Sequence, residues 1–464
     1  MMKEKNSLEV FSSMPIPKAV LANALPAIAA MIMVLVYNLA DTFFIGQTHD
    51  DLQVAAVSLA TPVFLIFTSI GTVFGIGGTS VISRAMGAGR KEYAKKVCSF
   101  CMWSCILVGI VLALVLWIFM DGILGLVGAS ENTRELTRGY LSIVACCGPF
   151  VLISNCFSNV LRAEGQSTKA MMGMLLGNLA NVILDPIMIL GFGWNIQGAA
   201  IATVIGNVIG AGYYLLYFLR KQTMLSISLK DFTLRDHVFI GVLSIGVPAA
   251  LGSLLMSVAQ IIMNSMMSSY GDMAVAAAGV AMKVTMITVM IAMGLGQGIQ
   301  PLLGYCYGAK NWERYRGVMR FSMVAALLMG CVLTGFCYLF VNNIVGIFLT
   351  DPSAFEYGVQ FAKILLSTGA LFGVYYVLTN AIQAMGAAVS SLIINLSRQG
   401  LIYIPALFLF RVLFGAHGLI WAQPAADILS FLLAVILYLY VSKKMVTPGK
   451  ILLQEKTVSM AEEV

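Results

Sequence analysis

The chain has 464 residues, of which 59% are hydrophobic and only 11% charged. Soluble globular domains carry roughly 25% charged residues, so this composition excludes a water-solvated globule and makes lipid the main solvent. The net charge of +7 does not point to nucleic acid, because Lys and Arg stand in short clusters between apolar runs, as in loops on the cytoplasmic side of a membrane.

About 20 mainly apolar residues suffice to cross a bilayer as a helix. Runs of that kind predict twelve spans, at 19–44, 54–85, 97–119, 140–161, 170–191, 198–219, 239–267, 275–306, 318–341, 358–383, 389–414 and 418–441. The fold expected is therefore an all-α membrane protein. A polar stretch at 221–238 divides a six-helix lobe at 19–220 from a second at 239–442, with tails at 1–18 and 443–464. Residues before Pro17 are polar and mixed and the apolar run after it is too long for a signal peptide, so the first helix is expected to stay in the protein. The nine cysteines lie in or beside apolar runs. Cys98 and Cys101 form a CxxC, but no second pair completes four ligands, so the thiols read as small buried hydrophobes and no metal is expected.

Charge sets the orientation. Of the 28 Lys and Arg, Arg134, Arg138 and Arg411 fall on one side, Lys283, Lys363 and Arg398 fall within spans, and the remaining 22 share the other side with both tails. That asymmetry predicts that both ends are cytoplasmic. The halves also repeat. Pro26 matches Pro248 at an offset of 222; Gly87, Gly148, Asn159 and Gly165 match Gly308, Gly369, Asn380 and Gly386 at 221; Gly198 and Ala202 match Gly418 and Ala422 at 220. Six helices is an even number, so the repeats are parallel, related by an axis along the membrane normal. Two such bundles suit alternating access, with a cargo held between them.

Charges inside spans are functional candidates, since a mid-helix Asp costs about 2.5–3.5 kcal/mol on insertion scales. Asp41 lies four residues after Tyr37, on the same face of the first helix. In the fifth helix Asn178, Asn181 and Asp185 follow i, i+3, i+7 spacing and form one polar stripe, with Pro186 disturbing the backbone beside it. Thr203 adds a hydroxyl from the sixth. Two carboxylates near each other in low dielectric titrate as a pair and can carry a proton across. The Asn carbonyls and the Thr hydroxyl could equally complete an oxygen cage for Na⁺. A purely structural role, capping a helix end at Asp41 and satisfying the Pro186 break at Asp185, is the competing reading.

Other intramembrane groups read differently. Arg398 and Asp427 fall at similar depth and are expected to form a structural ion pair. Lys283 and Lys363 are expected to snorkel to an interface. The GxxxG steps Gly71/Gly75, Gly206/Gly210 and Gly294/Gly298 suit close helix packing. Pro26 is either a gating hinge or a static kink.

Two six-helix repeats, the Ala40-Asp41-Thr42-Phe43-Phe44-Ile45-Gly46 segment, the Met86-Gly87-Ala88-Gly89 turn, the segment from Asn159 through Arg162 to Gly165, and Asn181 with Asp185-Pro186 together resemble the multidrug and toxic compound extrusion (MATE) exporters, closest to the bacterial MepA-like branch. The resemblance runs from about Pro17 to Ser442. It implies a V-shaped pair of lobes exporting cationic, amphipathic drugs or metabolites against inward H⁺ or Na⁺ flow. It implies an ion site at Asp41, Asp185, Asn181 and Thr203, with Tyr37, Asn159 and Asn178 as neighbours, and a bend near Pro26. Some members carry acids in spans seven and ten. Here those spans offer Gln260, Asn264, Asn380 and Gln383 but no acid, which favours the N-terminal site. Met256, Met263, Met290, Tyr375 and Tyr376, with Gln260, are candidates for a greasy drug cavity.

The expected setting is a bacterial-type cell membrane. The expected partners are lipid and a small cationic organic substrate; a duplicated chain suffices as a monomer. No cofactor is expected beyond the coupling ion. A flippase for lipid-linked saccharides is the runner-up, weakened by the near absence of mid-membrane Lys and Arg in the N-terminal lobe and kept open by Lys283, Lys363 and Arg398. An intramembrane aspartyl protease using Asp41 and Asp185 is remote, because Asp185 follows Val-Ile-Leu rather than Gly-x-Gly, and the chain is not expected to be an enzyme.

Overall fold

The computed structural model describes residues 8–47, 50–220, 223–349 and 351–462. The first seven residues of the expected N-terminal tail, residues 221 and 222 of the expected linker and the last two of the C-terminal tail lie outside them. The N-terminal lobe contains α1 (Ile16–Gly46), α2 (Asp51–Gly87), α3 (Lys91–Ile118), the short α4 (Met120–Leu126), α5 (Glu131–Cys146), α6 (Gly148–Ala163), α7 (Ser167–Pro186) with a π turn at Ile187–Gly191, and α8 (Asn195–Leu219). The C-terminal lobe contains α9 (Val238–Ser268), α10 (Asp272–Gly308), α11 (Trp312–Leu339), the short α12 (Val341–Phe348), α13 (Pro352–Leu366), α14 (Gly369–Ala384), α15 (Ala388–Leu396) with a π turn at Ser397–Leu401, and α16 (Tyr403–Glu462).

Twelve crossings follow from these elements. α5 and α6 form one span bent by 58°, and α13 and α14 form its counterpart, bent by 42°. The apolar stretch Ala388–Lys443 is 56 residues long. At about 1.5 Å per residue it would far exceed a hydrocarbon core of ~30 Å. It holds two spans, because Gly415 leaves helical geometry (φ 62, ψ −138). A Cβ on Gly418 would fall 2.0 Å from the Phe410 carbonyl, a meeting that an unbroken helix would forbid. Helix starts are set locally. Asp50 accepts from Leu52 N, Ser130 and Thr133 form a reciprocal cap, and Asp351 accepts from Ser353 N and Ala354 N just before Pro352 fills the first helical position.

The basic turns all lie on one face of the bundle, where α2, α6, α8 and α10 end and α3, α7, α9 and α11 begin. The linker runs along this face and is pinned to the N-terminal lobe. Ser99 Oγ donates to Ser228 O (2.6 Å), Trp103 Nε1 to Ile227 O (3.1 Å), and Lys96 pairs with Asp236 at 2.9 Å. The chain's start crosses the other way: Arg314 of α11 donates to the carbonyls of Phe11 (2.6 Å) and Met14 (2.7 Å), holding the segment before α1 on the C-terminal lobe.

The lobes meet through α1 with α10, α2 with α9, and α2 with α10. The contacts are backbone against backbone in the halves nearest the basic face. A Cβ on Gly77 would fall 2.1 Å from Val242 O, and one on Gly246 2.0 Å from Val73 O. Ala24 and Ile28, on either side of Pro26, take the same close approach from Gly298 and Gly294. α1 continues through Pro26 without interruption. These seams seal the basic face, and beyond them lies a cavity between the lobes.

Candidate functional site

The cavity has a volume of about 390 Å³. Met31, Tyr37, Thr68, Asn178, Asn181 and Thr203 line it from the N-terminal lobe, and Met256, Met290, Met293 and Gln297 from the C-terminal lobe. Its walls combine thioethers and hydroxyls with amides, a surface that grips apolar and polar groups together.

The polar stripe of α7 faces this space and continues behind it. Gly177 and Gly206 bring α7 and α8 close enough that a Cβ on either would fall 2.7 Å from the other's carbonyl oxygen. That approach puts Asn181 beside Thr203. With its amide nitrogen turned toward the carboxylate, Asn181 donates to Asp185 Oδ2 at 2.8 Å and its oxygen accepts from Thr203 Oγ1 at 3.3 Å. Asp185 has no exposed surface, and its Oδ1 has no partner among the described residues. A π turn at Ile187–Gly191 follows directly on Pro186, one residue beyond Asp185.

Asp41, half-buried on α1, lies within charge-interaction range of Asp185. Tyr37 and Tyr140 both stand near Thr203 and within charge-interaction range of the two carboxylates. The structure thus gathers Tyr37, Asp41, Asn181, Asp185 and Thr203 into one cluster from α1, α7 and α8. Tyr140 of α5 joins them. It carried no signal in the sequence because a tyrosine on an amphipathic helix looks like an interface anchor. Asn178 lines the cavity beside the cluster. Asn159 is engaged elsewhere: its Nδ2 donates to Asn155 O (3.0 Å) and its Oδ1 accepts from Arg162 Nη1 (3.2 Å), not from either acid's neighbours.

The residues expected to line a drug cavity divide. Met256 and Met290 face the inter-lobe cavity. Met263 is packed in the C-terminal lobe's core with Ala259 and Met267. Gln260 donates to Asn264 Oδ1 (2.9 Å) and reaches Met282 Sδ (3.0 Å). Tyr375 donates to Ile394 O (3.1 Å), and the Tyr376 hydroxyl takes Arg398 Nη1 at 3.0 Å. Arg398 in turn donates to Asp427 Oδ1 at 2.8 Å, with Phe372, Tyr375 and Tyr376 around the guanidinium. Asp427 also accepts from Thr368 (3.4 Å) and Gln423 (3.0 Å), so the pair is enclosed and its bonds are satisfied. Lys283 and Lys363 lie over the rings of Phe348 and Tyr338.

One buried charge was hidden in the sequence. Arg162 looks like a loop cation at a helix end, yet it is 1% exposed. It is a buried cation in the last turn of α6. Nothing local marks the burial: the linker folds back onto Glu164, two residues on, and Gln297 of the opposite lobe meets the guanidinium.

The MatE family model matches residues 26–187 and 248–409, once in each lobe. The chain is 32% identical to the multidrug export protein MepA of Staphylococcus aureus over 430 residues, 93% of this chain and 95% of that protein. It is 29% identical to MepA of Staphylococcus saprophyticus over 445 residues, 96% and 98% of the two chains. Its fold is similar to that of a multidrug resistance MATE family transporter in an outward-facing conformation (TM-score 0.89, 23% identity, 96% of this chain and 99% of that one). It is also similar to a transporter of the MOP superfamily from Pyrococcus furiosus (TM-score 0.87, 24% identity, 95% and 98%). Two tandem matches that together span most of both lobes, on a twelve-span fold, place this chain in the MatE family of membrane transporters.

Proposed function

We propose that the protein exports cationic, amphipathic drugs or metabolites by antiport with H⁺ or Na⁺, using Asp41 and Asp185 as the ion-coupling pair. The observation that carries this reading is the unpartnered Oδ1 of a fully buried Asp185 beside the inter-lobe cavity. An uncompensated carboxylate there is expensive; a proton or a sodium ion removes the expense, and Asn181 and Thr203 supply further oxygens. Asn181 links the acid to the cavity wall, so cargo in the cavity and an ion at the acid compete for one amide. The MepA relatives are named as multidrug exporters, which supports drug cargo. Both termini are assigned to the cytoplasmic side of a bacterial cell membrane, where the basic face would lie. A single chain contains both lobes and the cavity, so a monomer suffices.

The test is dye export from proteoliposomes under an imposed proton or sodium gradient. One gradient should drive export of a cationic dye by the wild type, and Asp41→Asn and Asp185→Asn should each abolish it while the protein still inserts. Normal gradient-driven export by either variant would remove this mechanism.

A further inference from the structure

Arg162 is the largest of the fully buried side chains. Its Nη1 donates to Asn159 Oδ1 (3.2 Å) and to Gln297 Oε1 of the opposite lobe (2.8 Å); Nη2 meets only the thioether of Met174 (3.6 Å), and Nε has no partner among the described residues. No carboxylate pairs with it among the described residues. Glu164, two positions on, is turned away to Tyr217, Thr223 and Met224. A guanidinium offers five donors in a fork that suits an oxyanion, and here the fork holds two neutral amide oxygens and a sulfur.

The fold does not require a cation at this point. At the repeat offset of 221, Gln383 takes the equivalent place in the C-terminal lobe. It is buried, its Oε1 accepts from Gln300 (3.4 Å) and its carbonyl from Ser80 Oγ (2.5 Å). The charge at Arg162 therefore has some other use. All three of its side-chain partners, Asn159, Met174 and Gln297, line the cavity, so the guanidinium lies directly beneath the cavity floor. Of the three, only Gln297 belongs to the other lobe and moves away when the lobes part.

We propose that Arg162 recognises a carboxylate on the cargo. Parting of the lobes at the basic face withdraws Gln297 and presents the guanidinium. An amphoteric molecule, one bearing a carboxylate beside a basic nitrogen, then binds with its acid on Arg162 and its cation toward Asp41 and Asp185. When the lobes close, the Gln297 amide oxygen returns to Nη1 in place of the carboxylate and frees the cargo to leave on the other side. The assignment rests on the transport reading above and narrows its substrate class.

A matched pair of dyes decides it: a rhodamine with a free carboxylate and its methyl ester, assayed with the reconstituted full chain for export and for equilibrium binding by fluorescence polarization. The wild type should favour the carboxylate over the ester by about tenfold or more, the worth of a charge-assisted hydrogen bond. Arg162→Gln, the residue the other lobe already uses, should bring that ratio to about one, and Arg162→Lys should recover part of it. Gln297→Glu keeps Arg162 and supplies a competing carboxylate, so it should lower the ratio too. A wild-type ratio near one in both assays, or a ratio unchanged in Arg162→Gln or in Gln297→Glu, overturns the assignment. If neither dye is exported by the wild type, the transport reading fails, and the ratio of binding constants still decides Arg162.

Discussion

Gly87 and Gly308, 221 residues apart, each lie against a carbonyl of the opposite lobe, and the two contacts are related by the repeat. A Cβ on Gly87 would fall 2.0 Å from Tyr305 O, and one on Gly308 2.0 Å from Arg84 O. Arg84 and Tyr305 are themselves 221 apart, so one backbone device is used twice to seal the basic face. A methyl group at either position would hold the lobes apart by more than a side-chain adjustment can absorb. Gly87→Ala and Gly308→Ala should therefore favour the state open at the basic face. Distances between spin labels on the two lobes should lengthen there in the purified protein, and export should slow by at least about tenfold. An unchanged distance distribution would show that the seam tolerates the extra carbon.

Asn181 is the sole described donor to Asp185 Oδ2 and also faces the cavity. Hydrogen bonds to charged groups contribute about 1.5–3 kcal/mol, so Asn181→Ala should reduce gradient-driven export by roughly one to two orders of magnitude. Asn181→Asp should change the ion dependence instead, since it puts a third carboxyl in the cluster. Measuring initial rates against the ion gradient separates the two effects; wild-type kinetics in Asn181→Ala would remove this residue from the coupling site.

The Arg398–Asp427 pair predicts a stability signature rather than a transport one. Breaking a buried ion pair by removing one partner costs about 3–5 kcal/mol, whereas replacing both with apolar groups is often nearly neutral. Arg398→Met should lower the unfolding midpoint in detergent sharply, and Arg398→Met with Asp427→Leu should restore most of it. Equal loss in the single and double variants would mean that the surrounding hydroxyls and rings, not the pairing, set the stability.

Glu164 predicts a pH dependence at the linker. Burial raises its pKa from the usual carboxylate value to about 7, against the opposing hydrogen bonds from Thr223, Met224 N and Tyr217. Its described surroundings are the linker, Tyr217 of α8 and the Cys98 thiol of α3, none of them a cation. The folded protein therefore binds this proton more tightly than the unfolded chain. The stability it confers is full below the unfolded pKa of about 4.3 and is lost as pH rises through about 7. Hydrogen exchange at the Met224 amide should accelerate, beyond its intrinsic pH dependence, from about pH 4.3 to about pH 7 and level off above it, and Glu164→Gln should abolish that excess. Absence of any excess in the wild type would refute the linkage.

Much of this architecture was legible without coordinates, and for a physical reason. A bilayer demands long apolar runs and places basic loops on one side, so span number and lobe division are written in composition along the chain. The 221-residue offset exposed the duplication, and an Asp inside an apolar run is costly enough to announce itself, as Asp41 and Asp185 did. What only the tertiary structure decided is what lies next to what. Tyr140 entered the acid cluster from another helix. Met263 and Met290 have the same chemistry and similar surroundings in sequence, yet one packs in a lobe's core and the other lines the cavity, because helix rotation is set by packing against neighbours. Arg162 and Lys169 flank the same short turn and read alike as loop cations; only the folded lobe buries the first, against an amide from the opposite lobe. Hydrophobicity is a property of each segment and survives in the sequence, whereas burial of a charge depends on surfaces contributed from more than 100 residues away.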